Sequence, residues 1–452
     1  MLRVMTKSND QRTAAGAEED WKTLLYERLA EDDEGRVCKD ISDDACRETP
    51  GNFLATLLAN TCSSIADKLA SAKTTLPWLL MQLGAPAWII SLLVPIRESG
   101  SMLPQMLIGA VVRRQAVRKW VWVAGGSVQG FSLLLMVWCG MTLEGLQAGL
   151  AVTGLLILFS LARGACSVAY KDVLGKTIPK TRRGRLSGWI SAIAGLAAFA
   201  AGLALGAFGQ GEAASGLYLD LLAVAAMLWF LAIASYARIV EFPGATDGGA
   251  NGFSEALSSL SLLREDAPFR KFVIGRALAM GSGLVAPFYV TLAREDLGSA
   301  ASLLGIFIAA EGLAGLVSSP VWGRWADRSS RQVFAVACGL AALTSLAVAA
   351  WSVAGLPSEA SLWFYPLAFF VLGIAHAGVR LGRKTYLVDM AGGNKRTDYV
   401  AVSNSVIGVL LLLTGLLGAL AAVISVQLTI VSLAIAGLLG AILSLRWREV
   451  SG

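Results

Sequence analysis

"LGAPAWIISLLVPIRESGSMLPQMLIGAVVRR", residues 83–114, and "LGSAASLLGIFIAAEGLAGLVSSPVWGRWADR", residues 297–328, repeat one pattern within a chain of 452 residues. The shared glycines and arginines lie 214 residues apart: Gly84 and Gly298, Gly109 and Gly323, Arg114 and Arg328. Weak self-similarity at a fixed offset is the sequence signature of membrane proteins built from internal repeats. The pattern therefore predicts a duplicated bundle of helices.

The composition is that of a protein with many membrane-spanning helices. Hydrophobic residues make up 55% of the chain and charged residues only 15%, against about 25% charged in ordinary soluble domains. The mean hydropathy is +0.62, and the 48 glycines suit helices that approach closely in lipid. The net charge of +6 is small and dispersed, so we expect no nucleic-acid partner.

Cysteine and histidine usage argues against a metal site or cofactor. The six cysteines form no C-x-x-C pair, and His376 is the single histidine. Zinc and iron–sulfur sites need closely spaced ligands of these types. We expect no metal, no cofactor, and free thiols in a reducing compartment.

A helix needs about 20 apolar residues to cross the hydrocarbon core of a bilayer. Twelve such stretches are predicted, and a polar connector at 240–269 divides them six and six. The expected organisation is a cytoplasmic tail at 1–51, a six-helix bundle at 52–239, the connector at 240–269, and a second six-helix bundle at 270–448. The twelve stretches lie near 53–81, 86–111, 119–140, 143–169, 186–209, 216–239, 270–293, 299–323, 332–354, 361–381, 399–420 and 423–445.

The polar tail contains one amphipathic pattern. Trp21, Leu24, Leu25 and Leu29 recur at helical spacing, which is typical of a helix with one apolar face. Three roles remain open for this helix: docking on a membrane surface, docking on protein, and exposure to solvent. The tail has no charged-then-apolar opening with a small-residue cleavage site, so we expect no cleaved signal peptide.

Basic residues predict the orientation, because cytoplasmic loops carry an excess of lysine and arginine. Alternate loops are nearly free of them, with Arg294 as the exception. We therefore place both termini and the connector in the cytoplasm. The basic loops carry Arg113, Arg114, Arg118 and Lys119; Lys171, Lys176, Lys180, Arg182, Arg183 and Arg185; Arg324, Arg328 and Arg331; and Arg383, Lys384, Lys395 and Arg396.

The segment from Gly323 to Arg331, "GRWADRSSR", fits the G-x-x-x-D-R-x-x-R signature found between the eighth and ninth helices of the major facilitator superfamily. Twelve helices in two halves and the arginine Arg163 of the fourth helix also resemble that family. The resemblance covers roughly 52–448 and implies an all-α membrane protein of two pseudo-symmetric six-helix bundles. It is similar to bacterial permeases, which implies a bacterial inner membrane.

In that family the signature carboxylate latches the cytoplasmic side closed. The resemblance implies that Asp327 meets the start of the fifth helix near Arg183 and Arg185. In the first copy Arg113 stands where the family has aspartate, so whether a second, symmetrical latch exists is left open. Arg118 and Lys119 we interpret as solvated markers of orientation. The predicted cytoplasmic gate comprises Gly109, Arg113, Arg114, Arg183, Arg185, Gly323, Asp327, Arg328 and Arg331.

Two charged doublets, Asp67-Lys68 and Arg97-Glu98, lie inside predicted spans. Adjacent residues of a helix point about 100° apart, so neither doublet pairs within itself. Counting the helical rise from the turn at 82–86 gives depths of about 22 Å for Asp67 and about 16 Å for Arg97, and about 21 Å for Lys68 and about 18 Å for Glu98. The counts predict crossed pairs, Asp67 with Arg97 and Lys68 with Glu98.

Ionisable groups inside a membrane are functional candidates by default, with structural ion pairs as the alternative. In the family, helices one, four, seven and ten line the central cavity, which implies a substrate path past Asp67, Arg163, Arg276 and His376. Arg163 and Arg380 lie near helix ends and also fit snorkelling side chains. The candidates for the substrate and proton pathway are Asp67, Lys68, Arg97, Glu98, Arg163, Arg276, Glu311, His376 and Arg380.

The resemblance favours a secondary active transporter that moves a small solute by rocking-bundle alternating access and is coupled to protons through buried carboxylates and His376. No Walker motif or nucleophile–base constellation is present, so we expect neither ATP-driven pumping nor an enzyme. The run at 191–206, "SAIAGLAAFAAGLALG", lacks the proline of typical drug/proton antiporters. A non-transporting assembly factor or sensor, and a lipid or lysolipid flippase, remain alternatives. The expected partners are the solute, protons and membrane lipids, and the expected state is a monomer.

Overall fold

The computed structural model describes residues 41–103, 114–208, 216–244, 259–298, 300–355, 357–390 and 396–450, together with 23, 25–26, 28–29, 108 and 112. The regular elements of this part of the chain are helices. The protein is an all-α membrane protein whose helices form two six-helix bundles.

The first half contains helices α1 to α6. Helix α1 is interrupted, and its two pieces are Thr49–Leu69 and Thr75–Gln82. The others are α2, Ala87–Met102; α3, Lys119–Thr142; α4, Gly145–Thr177; α5, Lys180–Phe208; and α6, Gly216–Ala237. A short helix, Asp43–Arg47, precedes α1.

The second half contains helices α7 to α12. Helix α7 occupies Ala267–Leu297. A single helical run, Ala301–Ala354, is kinked at Ser329 and divides there into α8 (301–328) and α9 (330–354). The last three are α10, Ser358–Met390; α11, Arg396–Ile424; and α12, Val426–Leu445. The connector contributes a 3₁₀ turn, Ser259–Ser261, and a helical turn, Leu262–Glu265.

Nine of the described helices are long and apolar enough to cross a membrane, with α8 and α9 counted as one run. The interrupted α1 and the 16 described residues of α2 supply the remaining two spans. The predicted pattern of six and six is therefore confirmed. Several helices are longer than predicted; among them, α4 and α10 continue past their apolar cores to Thr177 and Met390.

The duplication is visible in the backbone itself. Gly84 and Gly298, which end α1 and α7, have φ values of 74° and 85°. Gly145 and Gly355, which follow α3 and α9, have φ values of 58° and 59°. Side chains with a Cβ rarely adopt these conformations. Each half therefore requires glycine at the same two chain reversals.

Helices α1 and α7 are interrupted at corresponding points. The break in α1 spans 70–74, and α7 is divided into Ala267–Leu278, Gly281–Leu284 and Ala286–Leu297. The glycines at 281 and 283 weaken the helix, and Pro287 cannot donate a hydrogen bond to the preceding turn. Irregular backbone at membrane depth is tolerated only where it is buried in protein or lines a cavity. Paired interruptions of this kind point to the site between the halves.

The halves pack backbone to backbone along α5 and α8. A Cβ built on Gly202 lies 2.4 Å from the backbone N of Ala309, and one built on Gly305 lies 2.5 Å from the backbone N of Gly206. Small residues permit such close approach in lipid. The helices α2 and α11 form a second seam, where a Cβ on Gly415 would lie 2.4 Å from Pro95 Cγ.

Two ends of the molecule are distinguished below. The basic end carries the loops before α3, α5, α9 and α11, and the opposite end carries the loops before α2, α4, α8, α10 and α12. The close contacts of Gly202 and Gly305 lie near the opposite end, since α5 ends there and α8 begins there.

Glu241 ties the basic end of the first half together. It accepts hydrogen bonds from the backbone N–H groups of Arg118 (3.0 Å) and Lys119 (2.6 Å) and forms an ion pair with Lys176 (2.8 Å). Arg118 pairs with Asp172 at 2.8 Å and is 8% exposed. The interpretation of Arg118 and Lys119 as solvated markers is therefore wrong, because the carboxylate of Glu241 caps the start of α3 and holds both residues in place.

The second half repeats this arrangement around Glu449. Its carboxylate accepts a hydrogen bond from Ser329 Oγ (2.6 Å) and pairs with Arg331 Nε (3.3 Å). Arg331 also donates to the carbonyls of Leu445 and Trp447. The loop before α9 is thereby fixed to the end of α12.

The amphipathic pattern of the tail falls partly outside the described residues, which include neither Trp21 nor Leu24. Tyr26 is 5% exposed and packs edge-on against Phe53 of α1, with ring centroids 5.3 Å apart. The carbonyl of Leu29 accepts a hydrogen bond from Trp189 Nε1 of α5. The tail therefore contacts the basic end of the first half, while Leu25 is exposed.

One cysteine differs from the expectation of free thiols. Cys62, Cys139, Cys166 and Cys338 are free and buried, but Cys46 takes part in a disulfide whose partner lies outside the described residues. The expectation came from the compartment inferred for the chain, and that inference says nothing about whether two sulfur atoms lie within bonding distance.

Candidate functional site

Asp67 is the centre of an ion-pair network inside the first half. Its Oδ1 lies 3.2 Å from Arg97 Nη2, and its Oδ2 lies 2.8 Å from Arg163 Nη2. One carboxylate thus joins α1, α2 and α4. The guanidinium of Arg97 lies 4.9 Å from the ring centre of Phe159, and that of Arg163 lies 5.6 Å from Trp229. The predicted pair of Asp67 with Arg97 is formed, and Arg163 joins it as a second partner that the depth count did not suggest.

The second predicted pair, Lys68 with Glu98, is not formed. Neither side chain makes an ion pair within 4 Å anywhere in the described part of the chain. The charges that act on Glu98 are instead Lys73, Arg97, Arg380 and Arg383. The depth count assumed a continuous helix from 82 back to 67, and the break at 70–74 invalidates it.

A cavity between the halves brings Glu98 opposite three arginines. Glu98 and Met102 of α2 line one side, and Arg276, Met280 and Gly283 of α7 line another. Helix α10 contributes His376, Arg380 and Arg383. These three residues are four and three positions apart, so they share one face of the helix. The free space is about 40 Å³, of the order of the volume that one water molecule occupies in the liquid.

Arg276 is held in place by polar partners, with no counter-ion among the described residues. It is 5% exposed, and it donates to Ser403 Oγ (2.6 Å) and Asn404 Oδ1 (2.9 Å) of α11. Its Nε and the Nδ1 of His376 are buried without a hydrogen-bond partner in the described structure. His376 packs against the break in α7, where a Cβ on Gly283 would lie 3.1 Å from its Cε1.

Sequence reasoning missed two residues of this site. Lys73 lies in the break of α1, where it interacts electrostatically with Glu311, Glu98, Arg380 and Lys68. The run "LASAKTTLP" at 69–77 carries the available signal, since serine and threonine favour helix interruptions and a lysine inside a span demands a reason. Arg383 was assigned to a loop, but α10 continues to Met390 and directs Arg383 into the cavity.

Glu311 of α8 occupies the position equivalent to Arg97 of α2 in the repeat. It is half-buried, and Lys73 of the other half acts on it electrostatically. Lys73 therefore interacts electrostatically with two carboxylates, Glu98 of its own half and Glu311 of the second half. The charges that meet here come from α1, α2 and α8.

Arg294 joins the halves at the opposite end. Its Nη1 donates to the carbonyl of Trp78 (3.2 Å) and its Nη2 to Gln82 Oε1 (2.8 Å), both on α1. The guanidinium also lies 5.8 Å from the ring centre of Trp78. The one arginine that departs from the charge asymmetry of the loops thus has a specific structural role. A second cavity of about 190 Å³ lies nearby, between α2 and α7, and includes Ser91 and Thr291.

Asp327 and Arg183, which are predicted to meet at the basic end, do not contact each other in the described structure. Asp327 is exposed and makes no ion pair with any described residue. Arg183 donates to the carbonyls of Ile178 and Gly175 of its own half. A Cβ on Gly323 would meet nothing within 4 Å. The latch of Asp327 is therefore absent in this conformation.

The other gate residues divide into three groups. Arg331 is engaged with Glu449, as described above. Arg114, Arg185 and Arg328 are described, and the first two take part in polar contacts. Gly109 and Arg113 lie outside the described residues, so the first copy of the signature stays a prediction.

Comparisons with known proteins agree with this architecture. The family model of the Major Facilitator Superfamily matches residues 272–452. No curated protein sequence matches the chain.

Among solved structures, a D-xylose-proton symporter is similar with a TM-score of 0.69 and 12% identity, over 88% of this chain and 99% of that one. A POT family transporter in complex with a thioalcohol-conjugated peptide gives 0.67 and 11%, over 87% and 95%. The nucleoside transporter NupG gives 0.59 and 14%, over 87% and 98%. At these identities the likeness is one of fold. The chain is thus a protein of the major facilitator superfamily fold, with the sequence pattern of the family recognisable in its second half.

Proposed function

We propose that the protein is a secondary active transporter that moves a small solute by rocking-bundle alternating access, driven by protons. The observation that carries the proposal is the cavity between the halves, where Glu98 faces Arg276, Arg380 and Arg383 beside the interrupted helices α1 and α7. Charged groups at this depth are costly in a membrane protein and mark pathways for substrates and ions. The fold, the paired interruptions and this charge cluster all support the same function.

Proton coupling rests on Glu98 and Glu311. Both are half-buried carboxylates near the boundary of the two halves, and Lys73 acts on each of them. Protonation of either carboxylate removes a negative charge beside fixed cations, so it changes the relative free energies of the two conformations. His376 adds a third group in the same cavity that can titrate.

The basic end is the cytoplasmic side in this proposal, and both termini lie there, in a bacterial inner membrane. Arg294 and the Gly202–Gly305 seam hold the halves together at the outer end, while Asp327 is free of ion pairs at the inner end. The conformation is accordingly inward-facing. One chain supplies both walls of the cavity, so the monomer is the transporting unit.

Reconstitution into proteoliposomes that contain a pH-sensitive dye tests the proposal. Pools of small metabolites are added outside under an imposed pH gradient, and uptake and proton flux are followed together. Wild type is expected to accumulate at least one solute with dissipation of the gradient. Glu98→Gln is expected to lose gradient-driven accumulation and to retain exchange of solute across the membrane, because only the protonation step is removed.

The matched control is Glu359→Gln, which changes an exposed carboxylate in the first turn of α10 at the opposite end. This variant is expected to behave as wild type. If wild type moves no solute and dissipates no gradient in any pool, the transporter proposal is wrong, and the alternative of a non-transporting assembly factor or sensor is favoured. Equal loss in both glutamine variants would contradict the role of Glu98.

A further inference from the structure

We infer that the cavity between α2, α7, α10 and α11 binds an organic anion, a molecule with a carboxylate, phosphonate or sulfonate group and an apolar body. The inference rests on the proposed transport function and narrows its substrate class. Its basis is a surplus of fixed positive charge in the wall of the cavity.

The wall contains three guanidinium groups, those of Arg276, Arg380 and Arg383, and a single carboxylate, Glu98. None of the three arginines makes an ion pair within the described residues, and the partners of Arg276, Ser403 and Asn404, are polar rather than acidic. The wall therefore carries two positive charges more than negative ones. A neutral or cationic solute would leave this surplus in place.

Neighbouring charges do not cancel the surplus. Lys73 and Glu311, which do not line the cavity, interact with each other electrostatically and carry opposite charges, so together they leave the surplus unchanged. Asp67 is shared by two arginines, Arg97 and Arg163, so the network of the first half adds one more positive charge. Removing cations from water without matching anions is expensive in a protein interior. A bound anion supplies the missing negative charge.

The geometry also suits an anion with an apolar portion. Arginine presents a planar fork of donors that binds a carboxylate or phosphonate through two parallel hydrogen bonds. The buried Nε of Arg276 and Nδ1 of His376 are without a partner in the described structure. Apart from Ser282, the remainder of the wall is apolar and includes Val94, Met102, Leu284, Val379, Ile407 and Leu411. This lining favours an organic anion over a small inorganic ion.

The same charges give a reason for coupling to protons. Titratable or charged groups facing the cavity are Glu98, Arg276, His376, Arg380 and Arg383. Lys73 interacts electrostatically with Glu98 and Arg380 of this set, and with Glu311. Protonation of Glu98 raises the positive surplus and strengthens binding of an anion. By linkage, the bound anion raises the proton affinity of Glu98 by the same factor by which protonation of Glu98 raises the affinity for the anion. Anion and proton are accordingly carried in the same direction.

The test measures the local charge of the cavity without requiring the natural substrate. A reporter cysteine replaces Met280, which lines the cavity one turn from Arg276, in a background whose native cysteines are replaced by serine or alanine. Its rates of reaction are measured with an anionic methanethiosulfonate, the sulfonatoethyl reagent, and with a cationic one, the trimethylammonioethyl reagent. The ratio of the two rates is compared with that of a free thiol in solution.

We expect the ratio to exceed that of a free thiol at least about fivefold, since nearby charges act strongly at low dielectric. Arg383→Gln should lower it by about two- to fivefold, and Glu98→Gln should raise it by a similar factor. Opposite changes separate an electrostatic effect from a loss of structure. Lys384→Gln, which removes a neighbouring positive charge outside the wall, is the control and should leave the ratio within about 1.5-fold, given screening by salt.

A ratio at or below that of the free thiol, or reaction with neither reagent, overturns the inference. If the ratio is high but no solute crosses the proteoliposome membrane, the transport function fails while the anion cavity stands. If uptake is found only for neutral or cationic solutes, the transport function stands and the anion inference fails.

Discussion

Glu241 and Glu449 occupy the same position in the two halves, each four residues beyond the end of the last helix of its bundle. Each holds the loop that precedes the third helix of the same bundle. Glu241 does so through Arg118, Lys119 and Lys176, and Glu449 does so through Ser329 and Arg331. The duplicated bundle thus carries a duplicated clasp at its basic end.

The two clasps are predicted to differ in strength. The side chain of Glu241 is fully buried, whereas that of Glu449 is 36% exposed. Loss of one partner of a buried ion pair is strongly destabilising, and exposed pairs contribute little. Glu241→Gln should cost about 2–4 kcal/mol and Glu449→Gln less than about 1 kcal/mol. Thermal unfolding of the purified protein in detergent measures both, and equal effects would contradict this difference.

Asp67 is predicted to be structurally indispensable to the first half. Asp67→Asn leaves Arg97 and Arg163 facing each other without a counter-ion. The three side chains are 19–29% exposed, so we expect a loss of about 1–3 kcal/mol, below the range for fully buried pairs. The unfolding temperature of the variant checks this expectation.

Lys68→Gln provides the matched control for Asp67→Asn. Lys68 is the next residue of the same helix, is equally half-buried, and makes no ion pair within the described residues. Its replacement should leave the unfolding temperature within about 1 °C of wild type, which corresponds to a few tenths of a kcal/mol. A larger loss for Lys68→Gln than for Asp67→Asn would remove the basis for the network.

The seam between α5 and α8 is predicted to require Gly202. A valine there would press into the backbone of Ala309, which cannot move aside as a flexible side chain would. The opposite end should then fail to close. A cysteine at Ser91, in the cavity on that side, should react faster with a membrane-impermeant maleimide applied from that side.

Gly188→Val is the control for the seam. It places the same side chain on the same helix, where a Cβ meets nothing within 4 Å. Labelling at position 91 should then match that of wild type. Unchanged labelling in Gly202→Val as well would show that α5 and α8 can separate without consequence at this end.

Asp327 is predicted to form its ion pair with the start of α5 only in the conformation closed at the basic end, which differs from the conformation of this structure. It makes no ion pair here, so Asp327→Asn should leave the unfolding temperature within about 1 °C, the scale of an ordinary surface substitution. In the conformation that is closed at the basic end, the variant would lack the ion pair between residue 327 and the start of α5. A cysteine at Met280 should consequently react about two- to fivefold faster with a thiol reagent applied from the basic end.

Asp220→Asn, an exposed carboxylate on α6, is the control for the latch and should change neither quantity. If Asp327→Asn lowers the unfolding temperature while labelling is unchanged, the residue has a structural role in the open state. That outcome would exclude the latch.

The features predicted correctly from the sequence were those set by length and periodicity. Twelve apolar stretches and the 214-residue offset gave the two bundles, because the thickness of a bilayer and the copying of a bundle leave long-range patterns. The pair of Asp67 and Arg97 was also predicted, although the depth count behind it treated α1 as continuous, which the break at 70–74 shows it is not. Arg163 was identified only through the family resemblance, and its contact with Asp67 was not predicted.

The features that the sequence did not predict arise where those patterns are locally interrupted. The interruption at 70–74 contains Lys73, which interacts electrostatically with Glu98 and Glu311, and hydropathy does not register such a break. Helix α10 continues for nine residues beyond its apolar stretch, which turned Arg383 from a loop residue into a cavity residue. The role of Glu241 arises from residues more than 100 positions apart, so no local pattern carried it.

At the end opposite the basic loops, Arg294 joins the two halves through two partners, a peptide carbonyl and a carboxamide. Neither partner gains or loses a proton at any pH at which a cell grows. Acidification therefore leaves these two hydrogen bonds in place. The carboxylates of Glu98 and Glu311, by contrast, can be neutralised by protons. The contact that holds the halves together at this end is thus chemically independent of the groups to which we assign the response to pH.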